Sequence, residues 1–520
     1  MKQNGNGVIP KNNGTVSGVT VREPTSDVIG TLAMPMEPVA RESLHEQVEA
    51  MLNEPAPVSA DIVIIGGGPG GYVAAIRAAQ LGAKVVLIEK DELGGVCLNR
   101  GCIPTKVMLS SADAYDLAVR RGQEFGFVAS EIRLDYAKVI ERRDKVVKQF
   151  VSGVHFLMSK HNIQVVKGKA KLASRTNVAV TLADGSERTI PGQNIIIATG
   201  SEPVKLAIPG LEGPNIWDSD GALAATGVPE TLLVIGGGAI GLEWGYMFSR
   251  FGARVTIVEL MDEILPAADS EIAGELRKTL TKSGIQVFTG SRVTGVSHQD
   301  GKEVVRIQKG ESEQEVAVDK VLVAVGRRPV TDGFGLEEVG VSFDHTGIKV
   351  DEHMRTNVPN IYAIGDVVGG MLLAHKAFEE GVVAAENIMG RTTRMKYATI
   401  PSAVYTTPEV AWVGLTEDQA KREECEYRVG KFFFRANGKA LGLGEPVGFV
   451  KFIVEPKYGE VLGCHMIGPH VTDLIHEVVI GMEAEATIDV IGRTVHGHPT
   501  LSEVVKEAAL DADGESLHKG

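Results

Sequence analysis

Cys97 and Cys102 are two of the four cysteines in the chain, and they sit in Cys97-Leu98-Asn99-Arg100-Gly101-Cys102-Ile103-Pro104-Thr105-Lys106. Two thiols this near in sequence can trade electrons as a dithiol and a disulfide. Their gap does not fit the two-residue spacing of a zinc half-site, and no second Cys/His pair completes a metal centre, so no metal ligands are assigned. On a regular helix their Cα atoms would lie roughly 8–9 Å apart, beyond the ~7 Å that a disulfide spans. If the two are bonded, the turn must distort, and Gly101 permits that. An accessible bond strained in this way is of the reducible kind. The plainer reading, two buried thiols that merely pack, stays open on this stretch alone. Cys425 and Cys464 lie far apart and read as isolated thiols. His465 and His470 flank Gly468-Pro469 without metal-ligand company and read as structural.

The elements around the pair read as two nucleotide-binding units. Ile62-Val63-Ile64-Ile65 is a buried strand, and Gly66-Gly67-Gly68-Pro69-Gly70-Gly71 leads from it into a helical run over 72–79. Gly66, Gly68 and Gly71 form the G-x-G-x-x-G of a dinucleotide fold. The first allows the tight turn, the second lets pyrophosphate approach the backbone, and the third lets helix pack on strand. The next strand, Val85-Val86-Leu87-Ile88, ends in Glu89, placed to hold ribose hydroxyls. The unit recurs as Thr231-Leu232-Leu233-Val234-Ile235, the loop with Gly236, Gly238 and Gly241, and a strand ending in Glu259 at the same interval. Two such folds imply two dinucleotides, with electrons passing from one bound ring system to the other. A carboxylate at Glu259 bonds a free 2′-hydroxyl and repels a 2′-phosphate, which favours NAD over NADP. Strands also run into the turns Thr199-Gly200-Ser201 and Gly326-Arg327-Arg328, each bringing backbone against a cofactor. The arginine pair is expected to order its loop by hydrogen bonds. A third strand ends at Gly365-Asp366, followed by Met371-Leu372-Leu373-Ala374-His375.

With 520 residues, 61 glycines and a net charge of −14, the chain has room for several cores and no surface suited to nucleic acid or anionic lipid. It lacks an apolar run of ~18 residues and an apolar signal core, and a reducing cytoplasm is expected. Residues 1–58 read as a mobile extension, with helical spacing over 39–52 and a Pro-rich linker after it. The fold class expected is α/β: two Rossmann-like units and a C-terminal α+β domain. The boundaries fall at 59–205 for the first unit, 206–330 for the second, 331–400 for a return to the first, and 401–520 for the last.

In the order of these motifs, over roughly residues 60–515, the chain resembles the flavoprotein disulfide reductases, and among them those that oxidise dihydrolipoyl groups. The resemblance rests on the first glycine loop, the run from Cys97 to Lys106, the second loop with Glu243 and Glu259, Gly365-Asp366, and His498-Pro499-Thr500-Leu501-Ser502-Glu503. It implies FAD on the first unit, with Asp366 near the ribityl chain and Lys106 near the flavin ring, paired with Glu243. It implies NAD on the second, with Gly326 alongside, and further cofactor contacts at Gly168, Thr199, Gly200, Ser201, Leu372, Ala374, His375 and Val293. Cys97 would exchange with the lipoyl sulfurs and Cys102 would face the flavin. His498 would be the base, oriented by Glu503 and supplied by the other subunit of a homodimer.

The chemistry agrees with those roles. A dihydrolipoyl thiol needs a base before it can attack a disulfide. An imidazole titrates in the right range, and a carboxylate can fix its tautomer. Pro499 ends any helix between the two and lets the chain curl; His496 is the rival base. The expected substrate is a lipoyl arm on a carrier domain of a 2-oxo-acid dehydrogenase complex or of glycine cleavage. A mercuric reductase is disfavoured because the C-terminus has no cysteine pair, and a glutathione reductase because Glu259 opposes NADP. A non-catalytic docking subunit is the rival from another class.

Overall fold

The computed structural model describes residues 59–129 and 131–519. The extension, its expected helix and its linker lie outside the described residues. Ala60–Ile65 is the central strand of the first sheet, apolar along nearly its whole length because both faces are covered. Parallel to it run Val85–Glu89, Gln164–Lys167 and the second half of Glu187–Ile197, and Ile361–Ala363 pairs beyond the last. The first half of Glu187–Ile197 continues into an antiparallel ribbon with Asn177–Thr181 and Lys169–Ser174. Helices α1 (Pro69–Gln80), α2 (Gly95–Arg100), α3 (Cys102–Asp116) and α4 (Tyr136–Lys160) belong to this part of the chain.

The second sheet repeats the first. Its order is Gln286–Phe288, Arg254–Val258, Thr231–Ile235, Lys320–Val323 and Ile216–Trp217, all parallel. The repeat extends to an antiparallel ribbon, Arg292–Gln299, Lys302–Lys309 and Ser312–Val318, which the sequence reading did not foresee. Where the first unit runs one long strand from ribbon to sheet, the second interrupts it at Asp319. The Asp319 carboxylate accepts from the Thr231 N–H and hydroxyl at 2.9 and 2.7 Å. Helix α5 (Ala239–Arg250) follows the second glycine loop, and α6 (Ala374–Ile388) packs against α1. The last sheet is antiparallel, in the order Ser402–Val404, Glu409–Gly414, Val461–Gly468, Phe449–Val454, Arg428–Phe433. Helices α7 (Val471–Glu483) and α8 (Glu503–Asp511) cover it, sharing a core of Val450, Phe452, Ile475 and Val505. Among the described residues no helix is long and apolar enough to cross a membrane.

The glycines that shape the loops are fixed by contact. A Cβ at Gly71 would lie 1.8 Å from Gly66 O, and one at Gly241 would lie 2.0 Å from Gly236 O. Gly153, in the interior of α4, has nothing within 4 Å of its Cβ position. Alanine at these helical sites therefore has opposite effects. Thermal unfolding should show Gly71→Ala destabilised by about 1–3 kcal/mol through overpacking. Gly153→Ala should be stabilised by roughly 0.5–1 kcal/mol through lost chain entropy in the unfolded state.

Candidate active site

The helix that carries the cysteines is two helices. Gly101 adopts φ −130° and ψ −111°, so α2 ends there and α3 starts afresh at Cys102. This is the distortion that a bond between Cys97 and Cys102 would require. Cys97 and Cys102 are unbonded thiols in this structure, joined by a hydrogen bond. That bond draws Cys102 down to about 7, with help from the Lys106 charge against the cost of burial. The same bond, together with burial, pushes the Cys97 thiol up. Cys102 is also the first residue of α3, where a helix favours an anion. Of the two, Cys102 is the more readily ionised.

The pair is docked on the first glycine loop. Gly94 N donates to Gly67 O at 2.8 Å, and a Cβ at Gly95 would meet Gly68 Cα at 2.7 Å. On the other side α3 packs on α5 through Met108, Leu109 and Ala112 against Leu242, Met247 and Phe248. Three polar ties run along that seam. Lys106 Nζ lies 2.6 Å from Glu243 Oε2, Tyr246 Oη donates to Asp113 Oδ1 at 2.6 Å, and Arg250 pairs with Asp116 at 3.3 Å. Lys106 follows Cys102 by one helical turn and so shares its face. Glu243 is nearly buried, and its second oxygen accepts from Tyr405 N at 3.1 Å. Lys106 Nζ also stands 4.4 Å from the centre of the Tyr405 ring.

The residues present fit two dinucleotides. A Cβ at Gly66 would strike Ala198 O at 2.2 Å, and one at Gly236 would strike Ala324 O at 2.4 Å. At the second glycine of each loop the protein leaves room: the nearest atom is 3.9 Å away at Gly68, and none lies within 4 Å at Gly238. Nothing in the protein's own packing requires glycine at those two places, whereas a closely approaching phosphate does. Glu89 and Glu259 behave alike. Each accepts from a loop N–H at 2.6 Å (Gly67, Gly237) and from the residue two positions on at 2.8 Å. Gly168 N donates to Glu89 O at 2.9 Å beside the first of them.

Asp366 accepts from Ser201 Oγ at 2.5 Å. Arg327 donates to the same Ser201 Oγ at 2.8 Å and to its carbonyl at 2.7 Å, the loop-ordering role expected of it. Thr199 Oγ1 donates to Val330 O at 2.8 Å, which ties the Thr199–Gly200 turn to the strand after Gly326. Gly200 and Gly326 have φ of 75° and 115°, with nothing within 4 Å of either Cβ position. Leu372 is part-buried and Ala374 opens α6; the His375 ring is turned to Pro401 O at 2.7 Å. The Val293 side chain lies in an apolar cluster with Ile235 and Val258, and its residue pairs with Ile307 in the ribbon.

His498 and Glu503 meet at 2.8 Å between Nδ1 and Oε1, with Thr500 N on the other carboxylate oxygen at 2.8 Å. Burial works against the Glu503 charge, but Thr500 and His498 outweigh it and hold the carboxyl below its usual range. The pairing leaves Nε2 of His498 as the free lone pair, on a side chain 80% exposed. His496 is the opposite case: 5% exposed, with Nε2 taken by Glu477 at 2.5 Å and Nδ1 by Thr494 O at 2.9 Å. Glu503 is the only side-chain hydrogen-bond partner of His498 among the described residues. Tyr405 was missed in the sequence. It stands 162 residues from Glu243, and no spacing signals it. Cys464 and His465 are buried in the C-terminal sheet, the latter bonded to Leu415 O at 2.8 Å.

Residues 60–381 match the family described as pyridine nucleotide-disulphide oxidoreductase, and residues 400–509 match its dimerisation domain. The chain is similar to the dihydrolipoyl dehydrogenase of Thermus scotoductus, 46% identical over 464 residues, which cover 88% of this chain and 97% of the relative. It is similar also to the mitochondrial dihydrolipoyl dehydrogenase of Dictyostelium discoideum, 44% identical over 464 residues, covering 88% and 95%. Among solved structures it resembles LpdA from Mycobacterium tuberculosis, with a TM-score of 0.80 at 27% identity over 86% of this chain and 98% of that one. The HOCl-induced flavoprotein disulfide reductase RclA from Escherichia coli gives a TM-score of 0.76 at 27% identity, covering 87% and 99%.

The electrostatics of the pair are open to titration. Thiolate absorbance of the reduced protein should show Cys102 half-ionised near a pH of about 7. In Lys106→Met the stabilising cation is gone, and the midpoint should rise by about one pH unit or more.

Proposed function

Because the chain belongs to the pyridine nucleotide-disulphide oxidoreductase family, we propose that Cys97 and Cys102 carry electrons from a dihydrolipoyl group toward NAD. The protein is an FAD-dependent, NAD-linked dihydrolipoyl oxidoreductase and a homodimer. The observation that carries the assignment of residues is the hydrogen-bonded thiol pair with Lys106–Glu243 one turn beyond it.

His498 Nε2, kept as the free base by Glu503, takes the proton of one substrate thiol. The resulting thiolate attacks Cys97 in the oxidised pair, the Cys97–Cys102 bond breaks, and Cys102 leaves as a thiolate. Its lowered pKa and the Lys106 charge make it the better leaving group. The second substrate thiol attacks its own partner sulfur, its proton passes to Cys97, and Cys97 leaves as a thiol. The substrate has become a disulfide, and the pair has gained two electrons. Bound FAD would supply the two-electron chemistry that links the reduced pair to the nicotinamide of NAD.

Gly66, Gly68, Gly71, Glu89, Gly168, Thr199, Gly200, Ser201, Asp366, Leu372, Ala374 and His375 would hold FAD, with Lys106 near its ring. Gly236, Gly238, Gly241, Glu243, Glu259, Val293 and Gly326 would hold NAD. The base is the partner subunit's, which fits the exposed His498 side chain. The substrate is a lipoyl arm of a 2-oxo-acid dehydrogenase complex or of glycine cleavage. The compartment of this reading is a reducing cytoplasm, in which Cys425 and Cys464 stay free thiols. The division of the chain at 205, 330 and 400 belongs to the same reading.

Dihydrolipoamide-dependent NAD reduction by the yellow enzyme tests the route. Cys102→Ser should abolish it, and NADP should be a poor acceptor. His498→Gln should lose on the order of a hundredfold or more, whereas His496→Gln should retain most activity. A flavin-loaded wild type without turnover would point to a different disulfide substrate. Shared sites have their own signature. A purified heterodimer of one Cys102→Ser and one His498→Gln chain holds one intact site of two, so about half the wild-type rate should return from two dead parents.

A further inference from the structure

Asp366 stands in the tight turn Gly365–Val368, with positive φ at Gly365 (77°) and at Gly369 (75°) just beyond it. Ser201, itself held by Arg327, donates to the carboxylate from one side. From the other, α6 presents two opposite charges one turn apart. The side chains of Lys376 and Glu380 are only 1% and 0% exposed, with Nζ 3.2 Å from Oε1. Lys376 Nζ donates to Gly369 O at 3.0 Å and to Gly365 O at 3.3 Å. Glu380 Oε2 accepts from Gly365 N at 2.7 Å, and Oε1 accepts from Tyr397 Oη at 2.9 Å. The three ammonium protons and both carboxylate oxygens are thereby used, and both ends of the turn are gripped from one point.

Stability alone does not call for charges here. Desolvating a buried ion pair is costly, and apolar side chains of like volume often serve as well or better. Apolar side chains cannot bond the Gly365 N–H, the Gly365 carbonyl and the Gly369 carbonyl together. We propose that Lys376 and Glu380 are positioning residues for the flavin, fixing the 365–369 turn so that Asp366 meets FAD, with Tyr397 tying the approach to the C-terminal sheet into the same grip. The inference rests on the reading above that Asp366 contacts FAD.

The test is the rate at which FAD leaves the diluted holoenzyme, followed by recovery of flavin fluorescence, in Lys376→Met, Asp366→Asn and the double variant. Each single substitution should speed release on the order of tenfold, the scale of a lost charged hydrogen bond. The double variant should release FAD no faster than the faster single, because one route carries both effects. Effects that multiply would make the pair a general stabiliser and overturn the proposal. Unchanged release in Asp366→Asn alone would overturn the reading of Asp366, and the proposal with it. If Lys376→Met does not fold, Tyr397→Phe, which removes one neutral donor to Glu380, closes the same cycle with Asp366→Asn.

Discussion

The contact between Lys106 and Glu243 is where the two halves of this enzyme become one. The lysine belongs to the helix that starts with Cys102, and the glutamate to the helix behind the second glycine loop. A buried carboxylate beside a cation is stable only with full coordination, and Tyr405 N supplies the remaining bond. The pair thus fixes the distance between thiols and nucleotide fold from both sides. The two further ties at Asp113 and Asp116 keep α3 from rotating about its axis, which would swing Cys102 off its face.

The duplicated unit explains why so much is carried by so little sequence. Each glycine loop is bounded beneath by a carbonyl, Ala198 or Ala324, and behind by the first glycine's own oxygen. These contacts leave the loop one shape, so the same interval of residues delivers the same cradle twice. The differences lie in what is attached. The first unit receives its fifth strand from Ile361–Ala363, late in the chain, and the second from Ile216–Trp217, before its own first strand. The chain consequently passes through the second unit and returns, which brings Asp366 back beside Ser201.

Most of the site was legible because its chemistry is local in sequence. The cysteines, Gly101 and Lys106 lie within ten residues, the loops and their terminal glutamates within one βαβ unit, and His498 with Glu503 within one turn of chain. What escaped was set by partners far away. The preference for His498 over His496 becomes physical only when Glu477 is seen to occupy the latter. Tyr405 and the antiparallel ribbons were equally silent, since no periodicity announces a backbone N–H aimed at a distant carboxylate. Arg327, by contrast, orders its loop as expected, and the loop lies next to Asp366.

Glu259, which we propose reads the ribose, also ties down the second glycine loop through Gly237 N at 2.6 Å. A lineage drifting toward a 2′-phosphorylated coenzyme must first lose that carboxylate, and would lose loop order in the same step. A change of coenzyme has to cross a fitness valley, or wait for a second substitution that supports the loop by other means.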